Sequence, residues 1–506
     1  MKEGQHIAFK DIASALEMYK DRTALVDKFG KSYSYRDFKR HITGARADLV
    51  QRGIKKGDKV LVFVPMSLEL YAILEALFSL GATAIFLDPW MKGKKMGAVI
   101  KQVQPDLFIV TRKIARISWL LPATWKLRKW KLNTIQPNDD DWQIEPVKDD
   151  DNALITFTSG TSGVPKGANR TFSFLYAQAE TLKHHLKGQE DEACVDFTNF
   201  PIVGLADFAM GNTVVVPRIN LMKIHKAVPS DLAGQLKESN VTRLIVSPSL
   251  LTKAIVGMNI TGAGKLQHIV TGGAPISNTL IKTCLHDFPD ILFEAIYGST
   301  EAEPICTCTF QDVADRLDQP LKGVYVGQPI DTIRLKIIGF HKGAIDAELF
   351  TKNELKDGEV GEVIVTGAHV NKNYFENPAA FKKGKITDKN GEIWHRTGDM
   401  GYLKKGHLFL VGRDHRIMTF NDKKIYPYPI EQLVEAEFGY TDVGYIQRHS
   451  GEFVFYIGQA SNVDKSGIKR RIIEVGYPCD SVVVQNKPLP RDARHKSKLQ
   501  TENLSN

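Results

Sequence analysis

Short apolar runs with strand character alternate along most of the chain with longer stretches of amphipathic, helical periodicity. The apolar runs predict strands at Leu154–Thr158, Thr213–Val216, Arg243–Val246, His268–Thr271 and Leu292–Ile296. Strands that alternate with helices are typical of α/β layers in which the sheets are largely parallel. The pattern therefore predicts an α/β fold.

The most apolar region, Val60–Pro89, is interrupted by polar and turn-forming residues, which are Pro65, Glu69, Glu75, Gly81 and Asp88. A membrane-spanning helix needs about 20 uninterrupted apolar residues. The region instead predicts a strand at Val60–Val64, a helix at Leu68–Leu80 and a second strand at Thr83–Leu87. This order is that of a buried βαβ unit.

The pattern changes near Gly361, where short strands separated by turn residues begin. Strands are predicted at Glu362–Thr366, Gly401–Leu403 and Leu408–Val411. A smaller α+β unit is expected to begin just after Gly412-Arg413 and to run to the C-terminus. We therefore predict two domains, residues 1–413 and residues 414–506.

The composition is that of an ordinary globular protein, because 43% of the 506 residues are hydrophobic and 25% are charged. The segment Met1–Lys10 lacks the apolar stretch of a signal peptide. The five cysteines show no CxxC spacing and indicate reduced thiols rather than metal ligands; they are Cys194, Cys284, Cys306, Cys308 and Cys479. We therefore expect a cytoplasmic protein.

Much of the net charge of +9 lies in one basic segment between residues 111 and 132. Its cations are interleaved with tryptophans; they are Arg112, Lys113, Arg116, Lys126, Arg128, Lys129 and Lys131, with Trp119, Trp125 and Trp130. Such a stretch suits the headgroup region of a membrane, to whose inner face the protein would then be peripheral. A solvated loop whose tryptophans cover the domain surface is the alternative. Nucleic acid is not expected as a partner, because no recognised binding motif accompanies the charge.

A loop rich in glycine and hydroxyl side chains follows one of the predicted strands. Its residues are Thr158, Ser159, Gly160, Thr161, Ser162, Gly163, Val164, Pro165, Lys166 and Gly167. Glycines let the backbone turn tightly and direct N–H groups at a polyanion, and hydroxyl groups can donate to phosphate oxygens. Lys166 adds a mobile cation. The spacing is not the Walker pattern, so we predict a phosphate-binding loop of another class.

This loop resembles the signature of the acyl-adenylating superfamily, which includes acyl-CoA synthetases, peptide-synthetase adenylation domains and firefly luciferase. Further motifs follow in the family's order between Thr158 and Lys498. The resemblance implies a large N-terminal region of stacked α/β subdomains with largely parallel sheets and a small, mobile C-terminal α+β lid. It also implies that ATP and Mg²⁺ are used to activate a carboxylic acid as its acyl-AMP, with release of pyrophosphate.

A second motif resembles the family's Tyr-Gly-x-Thr-Glu; its residues are Tyr297, Gly298, Ser299, Thr300 and Glu301. The resemblance implies that Tyr297 stacks on adenine and that Thr300 meets the α-phosphate. It also implies that Glu301 holds Mg²⁺. One carboxylate suffices, because Mg²⁺ usually takes one or two carboxylates together with phosphate and water.

Two further segments resemble the parts of the family that contact the nucleoside. The first is Gly272, Gly273, Ala274 and Pro275, whose backbone would lie along the adenine face, where glycine permits a close approach. The second is Arg396-Thr397-Gly398-Asp399, in which Asp399 would accept both ribose hydroxyl groups. Arg413 would be a further contact to ribose or phosphate.

The segment Pro490–Leu499 resembles the motif that carries the family's catalytic lysine, which bridges the acyl carboxylate and the α-phosphate during adenylation. Lys498 is followed by Leu499 and so matches the common lysine-aliphatic ending. Lys496 is the alternative. We predict Lys498 as the catalytic lysine.

Three positions depart from the common pattern of the family. His415 stands two residues after Arg413, where relatives usually carry Asp or Lys. Asp422 stands where many CoA ligases have a glycine that lets pantetheine pass, which argues against CoA as a co-substrate. Phe200–Val203 stands where many relatives have a Pro-x-x-His segment that lines the acyl pocket.

The nature of the second half-reaction depends on a subfamily resemblance. The segments Leu87–Pro89, Ser247–Leu250 and Arg494–Lys498 are similar to those of the β-lactone synthetases of bacterial long-chain olefin biosynthesis. Those enzymes adenylate a 3-hydroxy acid and let its own hydroxyl attack the acyl-AMP, with proximity making the closure effectively unimolecular. We predict activation of a fatty or 3-hydroxy fatty acid followed by β-lactone closure. The alternatives are a fatty acid–CoA ligase, an enzyme that loads an acyl carrier protein, and an inactive relative that binds nucleotide or lipid.

An apolar cluster lies between the phosphate loop and the next strand; it comprises Phe197, Phe200, Ile202, Leu205, Phe208 and Met210. A pocket for the alkyl chain of the acid fits this cluster, at about 0.8 kcal/mol for each buried methylene group. Plain core packing fits it equally well, so the length of the chain does not follow from it.

Overall fold

The computed structural model describes residues 10–87, 91, 93–117, 122–158, 165–186, 193–491, 499–500 and 504. The chain forms two compact units. Unit 1 comprises Met1–Ile269, Thr300–Glu303 and Ala368–Lys382, and unit 2 comprises Val270–Ser299, Pro304–Gly367 and Lys383–Asn506. The domain boundary expected after residue 413 falls inside unit 2 and stays a prediction.

The strands of unit 1 are β1 (Thr23–Val26), β2 (Ser32–Ser34), β3 (Lys59–Phe63), β4 (Thr83–Leu87), β5 (Leu107–Thr111), β6 (Lys129–Leu132), β7 (Asn152–Thr158), β8 (Lys166–Thr171), β9 (Val195–Thr198), β10 (Thr213–Val215) and β11 (Arg243–Val246). Its helices are α1 (Lys10–Met18), α2 (Tyr35–Gln51), α3 (Leu68–Ser79), α4 (Gly93–Val103), α5 (Arg112–Ile117), α6 (Phe172–His185), α7 (Pro201–Met210), α8 (Pro229–Glu238) and α9 (Pro248–Thr261).

Two sheets organise unit 1. One has the strand order β6-β5-β3-β4-β7-β8 and is parallel except for β8, which runs antiparallel to β7. The other contains the order β11-β9-β10-β1-β2 and is parallel except for the β1–β2 pair. Parallel strands joined by helices confirm the predicted α/β layers, and β3-α3-β4 is the predicted βαβ unit.

Helix α3 lies in the core of unit 1, with all of its residues buried except Glu69. It begins after Ser67, whose hydroxyl accepts a hydrogen bond from the Leu70 amide at 3.3 Å. A helix that is apolar on all faces belongs in a core, where each large side chain contributes about 1.5–3 kcal/mol. One buried residue of this helix is ionisable: Glu75, in the third turn, is only 5% exposed.

A buried ion-pair cluster connects β9, β11 and α7. The Nε of Arg243 donates to Asp196 Oδ1 at 2.9 Å, and its Nη2 donates to the second oxygen of the same carboxylate. Nη2 also lies 3.5 Å from Asp207 Oδ1, and all three side chains are at most 2% exposed. Removing one partner of such a cluster leaves an uncompensated buried charge, so the cluster ties these three elements together.

The strands of unit 2 are β12 (His268–Gly272), β13 (Leu292–Ser299), β14 (Ala302–Thr309), β15 (Val324–Pro329), β16 (Ile333–Ile338), β17 (Gly361–Gly367), β18 (Lys385–Thr387), β19 (Ile393–Lys404), β20 (His407–Arg413), β21 (Met418–Phe420), β22 (Lys423–Ile425), β23 (Val443–Gln447), β24 (Phe453–Gly458) and β25 (Ser481–Gln485), with the first residues of β12 and β14 in unit 1. The helices are α10 (Asn278–Asp287), α11 (Phe310–Ala314), α12 (Ala347–Lys352), α13 (Pro378–Gly384), α14 (Pro427–Phe438) and α15 (Lys465–Glu474), with most of α13 in unit 1.

The larger sheet of unit 2 contains the order β16-β17-β19-β20-β15-β14-β13, and its pairs from β16 to β14 are antiparallel. The predicted short strand Gly401–Leu403 is wrong in extent, since it is the end of the twelve-residue β19. The glycines of Arg396–Gly401 look like a turn in sequence. Pairing with β17 on one side and β20 on the other keeps them in one strand, although Gly398 has φ +70° and the register shifts between Met400 and Gly401.

The residues after Arg413 build an apolar core of their own. A 3-10 turn at Asp414–Arg416 leads to the β21–β22 hairpin, α14, the β23-β24-β25 sheet and α15. Buried side chains from Met418 to Val482 form one cluster. The described part of the chain holds no helix that combines the length and apolarity needed to cross a bilayer.

Candidate functional site

The predicted phosphate loop connects two paired strands of unit 1. Strand β7 ends at Thr158, and β8 begins at Lys166, directly opposite it in the antiparallel register. Residues Ser159, Gly160, Thr161, Ser162 and Gly163 lie outside the described residues. The hairpin therefore fixes both ends of the loop and sets Lys166 at one of them.

Arg170 is a site residue that the sequence analysis missed. Its Nη1 donates to Thr156 Oγ1 at 2.7 Å, and its Nη2 donates to the carbonyl oxygen of Thr300 at 2.9 Å. Arg170 is 5% exposed, and it lies four residues after Lys166 on β8. Residues two and four apart in a strand share a face, so strand periodicity could have identified this second cation beside the loop.

Glu301 is held by a segment far away in sequence. The Tyr374 hydroxyl donates to Glu301 Oε1 at 3.2 Å, and the Asn371 amide donates to the Glu301 carbonyl oxygen at 2.6 Å. The Lys166 ammonium lies 5.6 Å from the centre of the Tyr374 ring. Burial, followed by the Glu301 carboxylate, raises the pKa of Tyr374, which therefore stays a neutral donor. Neither Tyr374 nor Asn371 carries a sequence signal that would have found it.

The residues around Glu301 fit Mg²⁺ better than a transition metal. Among the described residues there is no group of three or more His, Cys, Asp or Glu side chains that could hold an ion. Mg²⁺ does not need such a cage, because one or two carboxylates, substrate phosphates and water complete its octahedron. A single Glu301 beside the Lys166 cation fits an ion that arrives with phosphate.

In unit 2 a carboxylate accepts from two side chains at once. Asp399 on β19 pairs with Arg413 on β20, and Arg413 Nη1 lies 2.9 Å from Asp399 Oδ1. The Tyr297 hydroxyl donates to the other oxygen, Oδ2, at 2.7 Å. The Arg413 Nη2 also donates to the Thr397 carbonyl oxygen at 3.2 Å. The structure thus brings together three residues that the sequence analysis named separately.

The electrostatics of this cluster keep Asp399 surrounded by donors. Burial raises the pKa of Tyr297 well above its ordinary value, and the Asp399 carboxylate raises it further. Burial alone would lower the pKa of Arg413, but Asp399 together with Tyr428, Tyr297 and Asp414 outweighs this and raises the pKa, so the guanidinium remains charged. The predicted stacking role of Tyr297 stays a prediction, while its hydroxyl has the unforeseen role of orienting Asp399.

The Gly272-Gly273-Ala274 segment leaves β12 alongside β13. A Cβ atom at Gly272 would lie 2.5 Å from the carbonyl oxygen of Ile296, the residue before Tyr297. Gly273 has φ +79°, and a Cβ atom there would meet nothing within 4 Å. Gly272 must be glycine because a side chain would clash with β13, and Gly273 because of its positive φ. The space beside Gly273 is open and could hold a flat ligand.

The predicted catalytic Lys498 and its alternative Lys496 lie outside the described residues. The next residue, Leu499, is 5% exposed and belongs to the apolar cluster of Leu489 and Leu504. It forms an antiparallel bridge with Arg491. A buried residue therefore anchors the chain directly after Lys498.

The positions that depart from the family pattern have local explanations. Asp422 is exposed, and with φ +61° it occupies the backbone region that favours glycine, in the tight turn of the β21–β22 hairpin. The His415 Nδ1 lies 3.0 Å from Asp414 Oδ1. At Gly204, three residues after Pro201, a Cβ atom would lie 2.2 Å from the Tyr71 hydroxyl oxygen. Tyr71 therefore fills the space that a larger side chain would need.

The apolar cluster predicted as pocket or core divides between the two. Phe197 and Phe208 are fully buried, as core residues are. Ile202 and Leu205 instead line a cleft between α1, α3, α6 and α7. The cluster thus divides between core and cleft, and the pocket for an alkyl chain stays a prediction.

The basic segment also divides. Most of its cations are exposed, namely Arg112, Lys113, Arg116, Lys126, Arg128 and Lys131. Trp125 is 62% exposed, whereas Trp130 is 5% exposed with the Arg52 guanidinium 4.6 Å from its ring centre. Trp119 lies outside the described residues. Trp130 is thus a core residue that covers the sheet, and Trp125 lies on the surface among cations.

Comparisons with known proteins identify the family of the chain. The model of the AMP-binding enzyme family matches residues 12–375, more than half of the chain. The olefin beta-lactone synthetase of Xanthomonas campestris pv. campestris is 29% identical over 412 residues, which cover 76% of this chain and 73% of that protein. The 4-coumarate–CoA ligase-like 6 of Arabidopsis thaliana is 26% identical, with 84% and 76% covered.

Among solved structures, the chain is similar to O-succinylbenzoate coenzyme A synthetase from Bacillus subtilis in complex with ATP and magnesium ion. The TM-score is 0.79 at 19% identity, and the match covers 98% of this chain and 99% of that one. At this identity the likeness concerns the fold alone. It confirms the predicted α/β architecture with a smaller C-terminal part.

Proposed function

The chain belongs to the AMP-binding enzyme family, and from that premise we propose that it uses ATP and Mg²⁺ to activate a fatty or 3-hydroxy fatty acid and then closes a β-lactone. That the chain is an adenylate-forming, acid-activating enzyme follows from the family and from the relatives. The single observation that carries the nucleotide assignment is the Asp399 carboxylate between Tyr297 and Arg413. The substrate and the second half-reaction are the parts that require a test.

The Asp399 cluster suits the ribose of ATP. A diol with two adjacent hydroxyl donors needs an acceptor with two oxygens, and a carboxylate held by Tyr297 and Arg413 offers one that is already oriented. Orientation before binding reduces the entropy lost on binding. The open space beside Gly273 suits the adenine ring.

The cations beside the phosphate loop suit the triphosphate. Lys166 is a point charge at the end of the loop. Arg170 orients the Thr300 backbone by donating to its carbonyl oxygen. Glu301, oriented by Tyr374, would hold Mg²⁺, which supplies charge neutralisation between the phosphates. These side chains bind and position the α-phosphate for attack by the carboxylate of the acid.

The chemistry balances in two steps. An acid carboxylate oxygen attacks the α-phosphorus, the acyl-AMP forms and pyrophosphate leaves; Lys498 bridges the two anionic partners. The 3-hydroxyl oxygen of the same molecule then attacks the acyl carbon. Its proton is released, AMP leaves and the four-membered ring closes. No further substrate is consumed.

The alternative is transfer of the acyl group to CoA or to a carrier-protein thiol. The likeness to a CoA ligase-like protein supports it. Exposed Asp422 at the hairpin turn does not by itself exclude CoA, since its side chain points from a surface turn. The olefin beta-lactone synthetase relative supports the lactone.

A product assay separates these possibilities. Purified protein is incubated with ATP, Mg²⁺ and a long-chain 3-hydroxy acid, with and without CoA, and the products are identified by mass spectrometry. A β-lactone formed without CoA is the expected result. An acyl-CoA that appears only after CoA is added would identify a CoA ligase instead.

We also propose that the surface around Trp125 contacts anionic membrane lipids. Between Asp106 and Asp139 the sequence contains seven cations and no acidic residue. Helix α4 lies beside this segment, because a Cβ atom at Gly97 would lie 3.6 Å from that of Ala123. It adds three exposed lysines, which are Lys94, Lys95 and Lys101. An exposed tryptophan among cations suits a headgroup layer, in which each cation contributes about 1 kcal/mol.

Vesicle sedimentation tests this surface. Wild-type protein is expected to sediment with vesicles that contain anionic phospholipid and not with neutral ones, and salt should release it. The variant K126E/R128E should lose at least tenfold in partitioning. The exposed pair K382E/K383E is the charge-matched control and should not. Equal binding of the two variants would contradict the proposal, as would binding to nucleic acid alone.

A further inference from the structure

An apolar cleft in unit 1 is lined by the buried carboxyl group of Glu75. The cleft lies between α1, α3, α6 and α7, and its empty space, open mouth included, is about 670 Å³. Most of its wall is apolar, with Phe78, Leu175, Ile202 and Leu205 among the lining side chains. Its apolar lining suits an alkyl chain.

Glu75 lines this cleft without a partner. It is 5% exposed, and among the described residues no hydrogen bond or ion pair reaches its carboxyl group. Glu435, the buried carboxyl of α14, shows the usual situation, since it accepts from the Asn278 amide at 2.6 Å and from Gln432 at 3.3 Å. A buried polar group that lacks such partners lowers the free energy of unfolding, because it has lost its hydrogen bonds to water.

A second polar side chain that lines the cleft has a spare acceptor. Gln178 of α6 is 1% exposed, and its Nε2 donates to the Glu303 carbonyl oxygen at 3.2 Å. Its Oε1 is buried and has no hydrogen-bond partner among the residues that the structure describes. The amide is thus held through its nitrogen, and its oxygen is left without a hydrogen-bond partner among the described residues of a side chain that lines the cleft.

The two groups are complementary to a hydroxyl. Burial raises the pKa of Glu75 to about 8, so its carboxyl is neutral at pH 7 and can donate a proton in a hydrogen bond. A hydroxyl can accept from that donor and at the same time donate to the free Oε1 of Gln178. An unsubstituted alkyl chain would leave both groups unsatisfied.

We propose that the cleft binds the alkyl chain of the substrate acid and that Glu75 and Gln178 select an acid with a hydroxyl group on that chain. This inference rests on the proposed acid activation and adds a specificity-determining pair to it. Sites built to bond a hydroxyl reject the analogue that lacks it, because their polar groups are then left unpaired. The substrate class is therefore hydroxy fatty acids.

The test compares acids of one chain length, either unsubstituted or carrying a hydroxyl at position 3 or further along the chain. Affinity is measured by calorimetry in the presence of a non-hydrolysable ATP analogue, and activation by acid-dependent pyrophosphate exchange. Wild-type protein should prefer at least one hydroxy acid tenfold or more. E75L should reduce that preference at least fivefold and leave binding of the unsubstituted acid unchanged or tighter.

Two controls make the outcome unambiguous. E75Q keeps a donor of the same size and should retain most of the preference, and E69L changes a glutamate of the same helix that does not line the cleft. A wild-type protein that prefers no hydroxy acid, or an E75L variant with the full preference, overturns the inference. Failure of every acid to support exchange, with calorimetric binding intact, would instead overturn the proposed activation.

Discussion

Replacing Glu75 by glutamine should change how the stability of the protein depends on pH. The pKa of Glu75 rises from an ordinary 4.5 to about 8 because the side chain is buried without a compensating charge. Between these two values the folded protein holds a proton that the unfolded chain has released. The unfolded state then binds fewer protons, so the free energy of unfolding falls as pH rises, by about 1.4 kcal/mol for each pH unit.

Accumulated from pH 4.5 to pH 8, this loss is about 5 kcal/mol, which is a large part of the stability of an ordinary domain. E75Q places an uncharged group of the same shape in the cleft and removes the loss. Near pH 5 the two proteins should therefore have similar stability, and at pH 9 the variant should be the more stable by several kcal/mol. Below pH 4.5 the neutral carboxyl behaves as the amide does, and no difference is expected.

The assay is a set of denaturant or thermal melts from pH 5 to pH 9 for wild type, E75Q and the control E69Q. Other groups also titrate; the pKa of Glu435 is raised to about 7, and burial raises the pKa of Tyr176, which lines the same cleft. They are present in all three proteins, so the difference between the curves isolates Glu75. Curves for wild type and E75Q that run parallel across this range would refute the reasoning.

Three further predictions concern the remaining machinery. Tyr297→Phe removes the 2.7 Å bond to Asp399 and should raise the KM for ATP about three- to tenfold, with folding intact by circular dichroism; an unchanged KM would exclude the orienting role. Lys498→Ala should abolish acid-dependent pyrophosphate exchange while ATP still binds, whereas Lys496→Ala should not; the reverse pattern would exchange their roles. Arg243→Met removes the cation that pairs with two buried aspartates and should cost about 3–5 kcal/mol in denaturant melts, and an unshifted midpoint would contradict this.

The sequence determined those features that depend on the order of residue types along the chain. Alternating apolar runs and helical stretches predict parallel α/β layers, since crossover connections require that order. The strand from Thr83 to Leu87 has the predicted bounds. Glycine and hydroxyl residues before Lys166 predict a phosphate loop because that chemistry is local. Gly272 and Gly273 also meet local requirements. A side chain at Gly272 would clash with the neighbouring strand, and Gly273 adopts a positive φ.

Only the tertiary structure decided which distant residues meet. Arg170 with Thr300 and Tyr374 with Glu301 are pairs that no spacing predicts, since they come together through strand pairing and a remote segment. Burial was also decided there. In the sequence Glu75 is one of several polar interruptions of an apolar run. In the fold it lies inside the core, because its helix is buried on all sides. The free-energy cost of burying one carboxyl group is smaller than the gain from burying the apolar side chains of the helix.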